Sequence, residues 1–415
     1  MRVSDPFERV EVDARRSLIT TISVLAVLVV AGFLFPTQAA VVAVIGALFV
    51  MIMLHEFGHF VAAKRSGMKV TEFFVGFGPR LWSFTRGETE YGIKGVPLGG
   101  YCRIIGMTNL EEVDPADEPR AYRNKPTFSK VFVAAAGPAV HFAIALVLMF
   151  AVLFFAGDFR NRHTTMTLSQ TSQGAAAAGL KAGDTIVAIN GTTATSWTQV
   201  QQLINSPKNP AHVGDVVHFD VRRGTENMQI SVKLQESTDA GPKRVIAGVA
   251  PTSVVPRPGL VTSITQAPRQ VADTGWESIK AIGSMFSPAG ISNYFHILSG
   301  DTSMNVDQTK RFVSPAGVGA LASDAVQAGW VSVFSLLIAI NIFVGLFNLL
   351  PLLPFDGGHI AIAFYENVAS RVRRRRVQVD AAKLLPFTVA VVAVLGFIFL
   401  SSLFLDITHP IANPF

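Results

Sequence analysis

The sequence has 415 residues, half of them hydrophobic and 15% charged, whereas a soluble domain carries about 25% charged residues. A purely soluble protein is therefore excluded, and the single cysteine, Cys102, excludes an internal disulfide. The net charge is +6, but no basic face with interleaved aromatic residues is evident. The charge therefore indicates basic loops on one side of a membrane rather than nucleic-acid binding.

Residues 1–16 carry four arginines and precede a first apolar run at 17–35. This run has features of a cleavable signal peptide, because Arg15 and Arg16 would form its basic region. However, it is long for a signal core, and a second apolar run follows almost at once, which favours a retained helix. We therefore predict a cytoplasmic N-terminus at 1–16 and an extra membrane helix at 17–35.

The second apolar run, at 39–64, contains the motif HEFGH, which begins at His55. Positions i and i+4 share one face of a helix, so His55 and His59 can both offer a ring nitrogen to one metal ion. Zinc bound there lowers the pKa of a coordinated water towards about 7, and Glu56 is placed to take its proton. Histidine is scarce, at 9 of 415 residues, and ionisable residues are costly inside a span. The motif therefore predicts a zinc site rather than a chance match.

Residues 65–130 form a basic loop with two segments, Thr89–Tyr91 and Gly95–Ile105, that we predict as short strands punctuated by glycine and proline. They indicate either a peripheral hairpin or a sheet that dips into the membrane beside the active site. Cys102 lies here, and because no base partner is evident we do not predict a nucleophilic role for it. A membrane helix at 131–156 follows.

A compact domain is predicted at 165–250. Its strand Thr185–Ile189 is followed by the hairpin signal Asn190–Gly191, and Ser196 is a candidate N-cap for the next helix. The pattern GLKAGDTIVAINGTTATSW, followed by GDVVHFDVRRG, resembles a bacterial PDZ domain, a fold that binds an extended peptide as an added strand. The alternative is a spacer that binds nothing. Residues 257–330 are predicted as an extracytoplasmic helical connector.

The late apolar region at 331–363 contains the motif NLLPLLPFDGGH, which begins at Asn348. Asp356 falls at the depth of the two motif histidines, and a carboxylate is a suitable third zinc ligand. Asp356 could instead cap a helix that begins at Gly357, and His359 is the rival ligand. The prolines prevent a regular helix and leave backbone free beside the site. Asn348 is predicted to contact the substrate strand or the developing oxyanion, or only to satisfy the broken helix.

A basic loop at 364–384 and a last membrane helix at 385–405 complete a five-span topology. The bias of Lys and Arg places 1–16, 65–130 and 364–384 in the cytoplasm. The fold class is a polytopic α-helical membrane protein with an inserted extracytoplasmic PDZ-like α+β domain and a short membrane-associated β-sheet. It is expected in the inner (plasma) membrane.

These features together resemble the site-2 protease family of intramembrane zinc metalloproteases, in the bacterial branch with an inserted PDZ domain. The resemblance spans most of residues 39–405 and rests on four features in order: HEFGH in a span, GFGP followed by EYGIKGVPLGGY, the PDZ-like domain, and the late motif. It implies the following roles: zinc ligands His55, His59 and Asp356, the base Glu56, and the late-motif asparagine Asn348.

The resemblance also implies a membrane-dipping sheet at about 70–106. The expected partners are single-span membrane proteins that an upstream site-1 protease has already shortened, often anti-sigma factors, in regulated intramembrane proteolysis. The helix at 17–35 departs from the family pattern, because it precedes the usual first catalytic span.

Two other functions fit parts of the pattern. A catalytically dead scaffold would use only the PDZ-like domain, but the intact Glu56 speaks against it. A metal transporter would hold its ligands near the membrane midplane, whereas these gather near the cytoplasmic end. The sequence therefore favours an intramembrane zinc endopeptidase that acts in the lipid bilayer on membrane proteins and does not bind nucleic acid.

Overall fold

The computed structural model describes residues 36–205, 210–236, 245–300 and 311–409. The described residues up to Val152 and from Ile264 onward form one unit, and Leu153–Ser263 form the second. The predicted segments at 1–16 and 17–35 lie outside the described residues.

The first unit is built mainly from helices and the second mainly from strands. The described helices are α1 Pro36–Arg65, α2 Thr127–Ala151, α3 Gln173–Ala177, α4 Trp197–Ile204, α5 Leu260–Met285, α6 Pro288–Leu298, α7 Pro315–Ala328, α8 Trp330–Asn348, α9 Asp356–Arg373 and α10 Ala381–Thr408. The described strands are β1 Val70–Arg86, β2 Thr89–Ile104, β3 His163–Thr171, β4 Thr185–Ile189, β5 Thr192–Thr193, β6 Val216–Arg223, β7 Glu226–Lys233, β8 Gln235–Glu236, β9 Val245–Ile246 and β10 Val249–Val254.

In the part of the chain that the structure describes, four helices are long and apolar enough to cross a membrane. They cover Gln38–Arg65, Thr127–Ala156, Trp330–Asn348 and Ala381–Thr408, and each overlaps a span predicted from the sequence. Helix α1 packs against α2, and α2 packs against both α8 and α9. The helix with the HEFGH motif and the helix that begins at Asp356 are thus both held by α2.

Strands β1 and β2 form one antiparallel hairpin. The short strands predicted at Thr89–Tyr91 and Gly95–Ile105 are parts of the single strand β2, so that prediction was wrong in extent. Glycines interpreted as breaks instead allow close approach. A Cβ at Gly92 would lie 2.6 Å from the Phe74 ring, and one at Gly100 would lie 2.5 Å from the Met53 sulfur.

The second unit contains a sheet with strand order β10-β3-β4-β6-β7, in which β5 also pairs with β4. Asn190 and Gly191, both at positive φ, turn the chain from β4 into β5 as the sequence predicted. The Ser196 hydroxyl accepts a hydrogen bond from the backbone of Gln199 and caps α4. The core of this unit is apolar and includes Leu168, Ile186, Ile189, Val200, Phe219 and Val232.

The predicted helical connector at 257–330 is helical in its described part, as α5, α6 and α7.

Candidate metal centre

Two histidines on successive turns of α1 bring their Nε2 atoms close together. The Nε2 atoms of His55 and His59 lie 3.1 Å apart, and both side chains are buried. The Nδ1 atom of His59 lies 2.8 Å from the carbonyl oxygen of Val133 in α2. A carbonyl oxygen can only accept, so His59 Nδ1 carries the proton and Nε2 keeps its lone pair for a metal.

The third group comes from the first turn of α9. The two carboxylate oxygens of Asp356 lie 3.3 Å from His55 Nε2 and 3.3 Å from His59 Nε2. Helix α9 begins at Asp356 itself and its N-cap is Phe355, so the alternative in which Asp356 caps a helix starting at Gly357 was wrong.

The two glycines after Asp356 explain how its helix can start here. A Cβ at Gly357 would collide with the carbonyl oxygens of Leu349 and Leu350, and one at Gly358 would lie 2.7 Å from the Leu353 nitrogen. The start of α9 therefore passes tightly under the preceding turn, which brings the Asp356 carboxylate to the histidines.

This set of groups fits a zinc ion. In a tetrahedral site with zinc–nitrogen distances of about 2.0–2.1 Å, neighbouring ligand atoms are about 3.3–3.4 Å apart. The separations here are 3.1 to 3.3 Å. Space for the rings is provided by Gly137 in α2, where a Cβ would lie 2.6 Å from His55 Cε1 and 2.7 Å from His55 Nε2, and would also collide with His59 Nε2.

The cluster opens into a cavity of about 260 Å³. Every site residue predicted from the sequence lines it: His55, Glu56, His59, Asn348, Asp356 and the rival ligand His359. Among the described residues the three-residue cluster contains Asp356 and not His359, whose ring instead lies 6.2 Å from that of Tyr122.

Cys102 also lines this cavity. Burial raises the pKa of its thiol to about 12, and the neighbouring Glu56 carboxylate adds to the rise. The thiolate required of a nucleophile is therefore disfavoured, in agreement with the sequence-based expectation.

Sequence reasoning missed two polar side chains beside the cluster. His141 in α2 and Asn341 in α8 are buried, and His141 Nδ1 lies 2.8 Å from Asn341 Oδ1. The His141 ring centroid is 5.1 Å from that of His55. The available signal was that each is a polar residue inside an apolar span, where such residues are expensive and tend to be functional.

The site combines two histidines and a carboxylate at zinc-ligand spacing with a glutamate that lines the same cavity, and apolar helices surround it. These features define a membrane metallopeptidase. The comparisons with known proteins agree. The chain matches the model of peptidase family M50 over residues 43–395.

Curated relatives span nearly the whole chain. Zinc metalloprotease Rip1 of Mycobacterium tuberculosis is 36% identical over 404 residues, which cover 89% of this chain and 96% of the relative. Rip1 of Mycolicibacterium smegmatis is 33% identical over 398 residues, covering 88% and 96%. Metalloprotease MmpA of Caulobacter vibrioides is 29% identical over 395 residues, covering 86% and 92%. The chain therefore belongs to peptidase family M50, the site-2 protease family, and is a multi-pass membrane zinc metalloprotease.

Proposed function

We propose that the chain is an intramembrane zinc endopeptidase that cleaves single-span membrane proteins in regulated intramembrane proteolysis. One observation carries the proposal: the zinc-spaced cluster of His55, His59 and Asp356 lies on α1 and at the start of α9, within a bundle of apolar helices. A hydrolytic site in such a bundle is accessible to proteins that share the same membrane. Substrates of this enzyme are therefore membrane proteins.

Each residue has a distinct role in this proposal. His55, His59 and Asp356 hold the zinc ion, which when bound activates a water and polarises the peptide carbonyl. Glu56 takes a proton from the attacking nucleophile and passes it to the leaving amine nitrogen. Asn348, the last residue of α8 and part of the cavity wall, donates its amide N–H to the substrate carbonyl or the developing oxyanion.

The substrate must reach the site as an extended strand, because a helix hides its carbonyls in internal hydrogen bonds. Two features beside the cavity suit such a strand. The segment between α8 and α9 carries Pro351 and Pro354, which prevent a regular helix beside the cavity. The end of β2 contributes Cys102 and Ile104 to the cavity wall, so a substrate strand can lie alongside it, as the predicted membrane-associated sheet would allow.

The second unit supplies the selection of substrates in this proposal. It carries a groove of about 1070 Å³ between α4 and the strands β3, β9 and β10. The groove lining includes Trp197, Val200 and Val249. A groove between a helix and strands suits an extended peptide, as in PDZ domains. We assign to this PDZ-like domain, on the extracytoplasmic side of the inner membrane, the selection of substrates that a site-1 protease has shortened, with anti-sigma factors as the first candidates.

The proposal is tested by expressing candidate anti-sigma factors together with the wild type or with a Glu56→Gln variant. We expect a shortened, membrane-bound fragment to accumulate only with Glu56→Gln. The matched control is Glu112→Gln, which makes the same chemical change at an exposed carboxylate outside the cavity. Equal fragment levels in wild type and Glu56→Gln would contradict the proposal and support the scaffold function.

A further inference from the structure

One atom of the metal centre lacks a partner. His55 Nδ1 is buried and has no hydrogen-bond partner among the described residues, whereas His59 Nδ1 lies 2.8 Å from the Val133 carbonyl. An imidazole that binds zinc through Nε2 carries its proton on Nδ1, and that N–H is almost always donated to an acceptor that fixes the ring. Leaving this N–H unpaired in a buried site is unfavourable. The His55 ring therefore requires an acceptor that its own helix does not supply.

The ring that faces His55 belongs to His141, and its tautomer follows from its own partner. Asn341 Nδ2 lies 2.7 Å from the carbonyl oxygen of Leu337 and 2.8 Å from the sulfur of Met51. A carbonyl oxygen only accepts, so the amide nitrogen is on that side and Oδ1 faces His141 Nδ1 at 2.8 Å. His141 Nδ1 is therefore protonated, and His141 Nε2 bears a lone pair.

The distance between the two rings permits a hydrogen bond. Their centroids are 5.1 Å apart and their planes are inclined by 44°. An imidazole nitrogen lies about 1.2 Å from its ring centroid, so two nitrogens facing each other across this gap would be about 2.7 Å apart, which is a hydrogen-bond distance. His55 Nδ1 has no partner as the rings stand, so the bond requires a rotation of one or both rings that turns the two nitrogens towards each other.

We propose that His141, oriented by Asn341, is a positioning residue that accepts the Nδ1–H of His55 and fixes that ring for zinc. The inference rests on the proposed function, in which His55 is a ligand. Asn341 donates to the Leu337 carbonyl, His141 donates to Asn341, and His55 donates to His141, so one polar relay connects α1, α2 and α8.

A purely structural role explains these residues less well. His141 is 3% exposed and Asn341 is fully buried, both inside apolar spans. Polar residues at such positions are expensive to insert. Hydrogen bonds between membrane helices contribute only modestly to stability, and apolar side chains of similar size could match that contribution by packing. The chemistry of the relay, rather than its contribution to stability, accounts for a histidine at position 141.

The test measures the zinc dissociation constant of the detergent-solubilised full-length protein by competition with a chelator. His141→Phe keeps a ring but neither nitrogen, and Asn341→Leu removes the acceptor that sets the tautomer. We expect both to weaken zinc binding by about 10- to 100-fold. His141→Gln retains a hydrogen-bond acceptor and a donor, so this variant should keep most of the zinc affinity that His141→Phe loses. The control is Ser401→Ala, which breaks the buried 2.7 Å bond between Tyr294 and Ser401 on α10 and should bind zinc like the wild type.

Solid-state nitrogen NMR of the wild type gives a second readout that needs no variant to fold. We expect protonated Nδ1 and unprotonated Nε2 on His141, and protonated Nδ1 on His55. A protonated Nε2 on His141 overturns the inference, as does wild-type affinity in His141→Phe. Equal losses in His141→Phe and His141→Gln also overturn it, because ring packing would then explain the effect. If zinc binding survives His55→Ala, the proposed ligand set fails instead, and the two failures are thereby separated.

Discussion

A single methyl group at Gly137 should disable the metal centre. The Cβ of an alanine there would lie 2.7 Å from His55 Nε2 and 2.6 Å from His55 Cε1, whereas ordinary contact begins at 3.4 Å. The His55 ring must therefore move by about 0.7 Å or more, while metal–ligand distances tolerate only about 0.2 Å. His59 Nε2 is also in the path of the methyl group, so both rings are displaced together. The backbone of α2 has little room to yield, because it packs against α1, α8 and α9.

We expect Gly137→Ala to weaken zinc binding by about 100-fold or more and to reduce cleavage at least as much. Elemental analysis after dialysis against a weak chelator, together with cleavage of a single-span reporter, measures both effects. The control Gly396→Ala adds a methyl group to α10 where nothing lies within 4 Å. Gly58→Ala distinguishes disturbed helix packing from displacement of the histidine rings. Its Cβ would meet Ala136 O at 2.7 Å and Val140 Cγ2 at 2.9 Å instead of the rings. Zinc binding of wild-type strength in a folded Gly137→Ala protein would refute the assigned ligand geometry.

Two further predictions concern the ligands and the pH dependence of stability. Glu56→Gln should abolish cleavage while one zinc stays bound, whereas His55→Ala should lose both zinc and cleavage. Asp356→Ala should weaken zinc binding more than His359→Ala does. The reverse order would make His359 the third ligand. Hydrogen bonds from Arg120 and Lys64 lower the pKa of Glu88 from 4.5 to about 2. The stabilisation is therefore present above pH 4.5 and is lost as the pH falls towards 2. Glu88→Gln should lower stability by about 1–2 kcal/mol at neutral pH. Melting curves should show less acid dependence in this variant than in Glu112→Gln, and identical acid dependence would refute the assignment.

The local features of the site were predictable, and the contacts between helices were not. The HEFGH spacing places two histidines on one helix face, and matching depth in the membrane identified Asp356. Gly137 and Val133 come from α2, whose sequence reads mainly as an apolar span. Their importance depends on which face of α2 meets α1, and hydrophobic periodicity cannot set that rotation when a helix is apolar all round.

The same limit applies to the β1–β2 hairpin. Glycine is typical of turns, yet Gly92 and Gly100 lie inside a continuous strand. They are required because the side chains of Phe74 and Met53 approach the backbone at these positions. A glycine that permits close approach and a glycine that permits a turn look alike in one sequence, and only the packing partners distinguish them.

The position of the cluster along α1 determines where a substrate helix should be cut. The apolar span runs from Gln38 to Arg65. At 1.5 Å per residue, His55 lies about 15 Å and His59 about 9 Å from Arg65. The hydrocarbon core is about 30 Å thick. In the proposed orientation, with the basic end of α1 at the cytoplasmic surface, the cluster therefore extends from the midplane towards the cytoplasmic side. Cleavage should therefore occur towards the cytoplasmic end of the substrate span, and it should be favoured by residues of low helix propensity there, because the scissile bond must leave its helix. Mass spectrometry of the released fragment locates the cut, and a scissile bond in the outer third of the span would refute both the orientation and the extended-substrate mechanism.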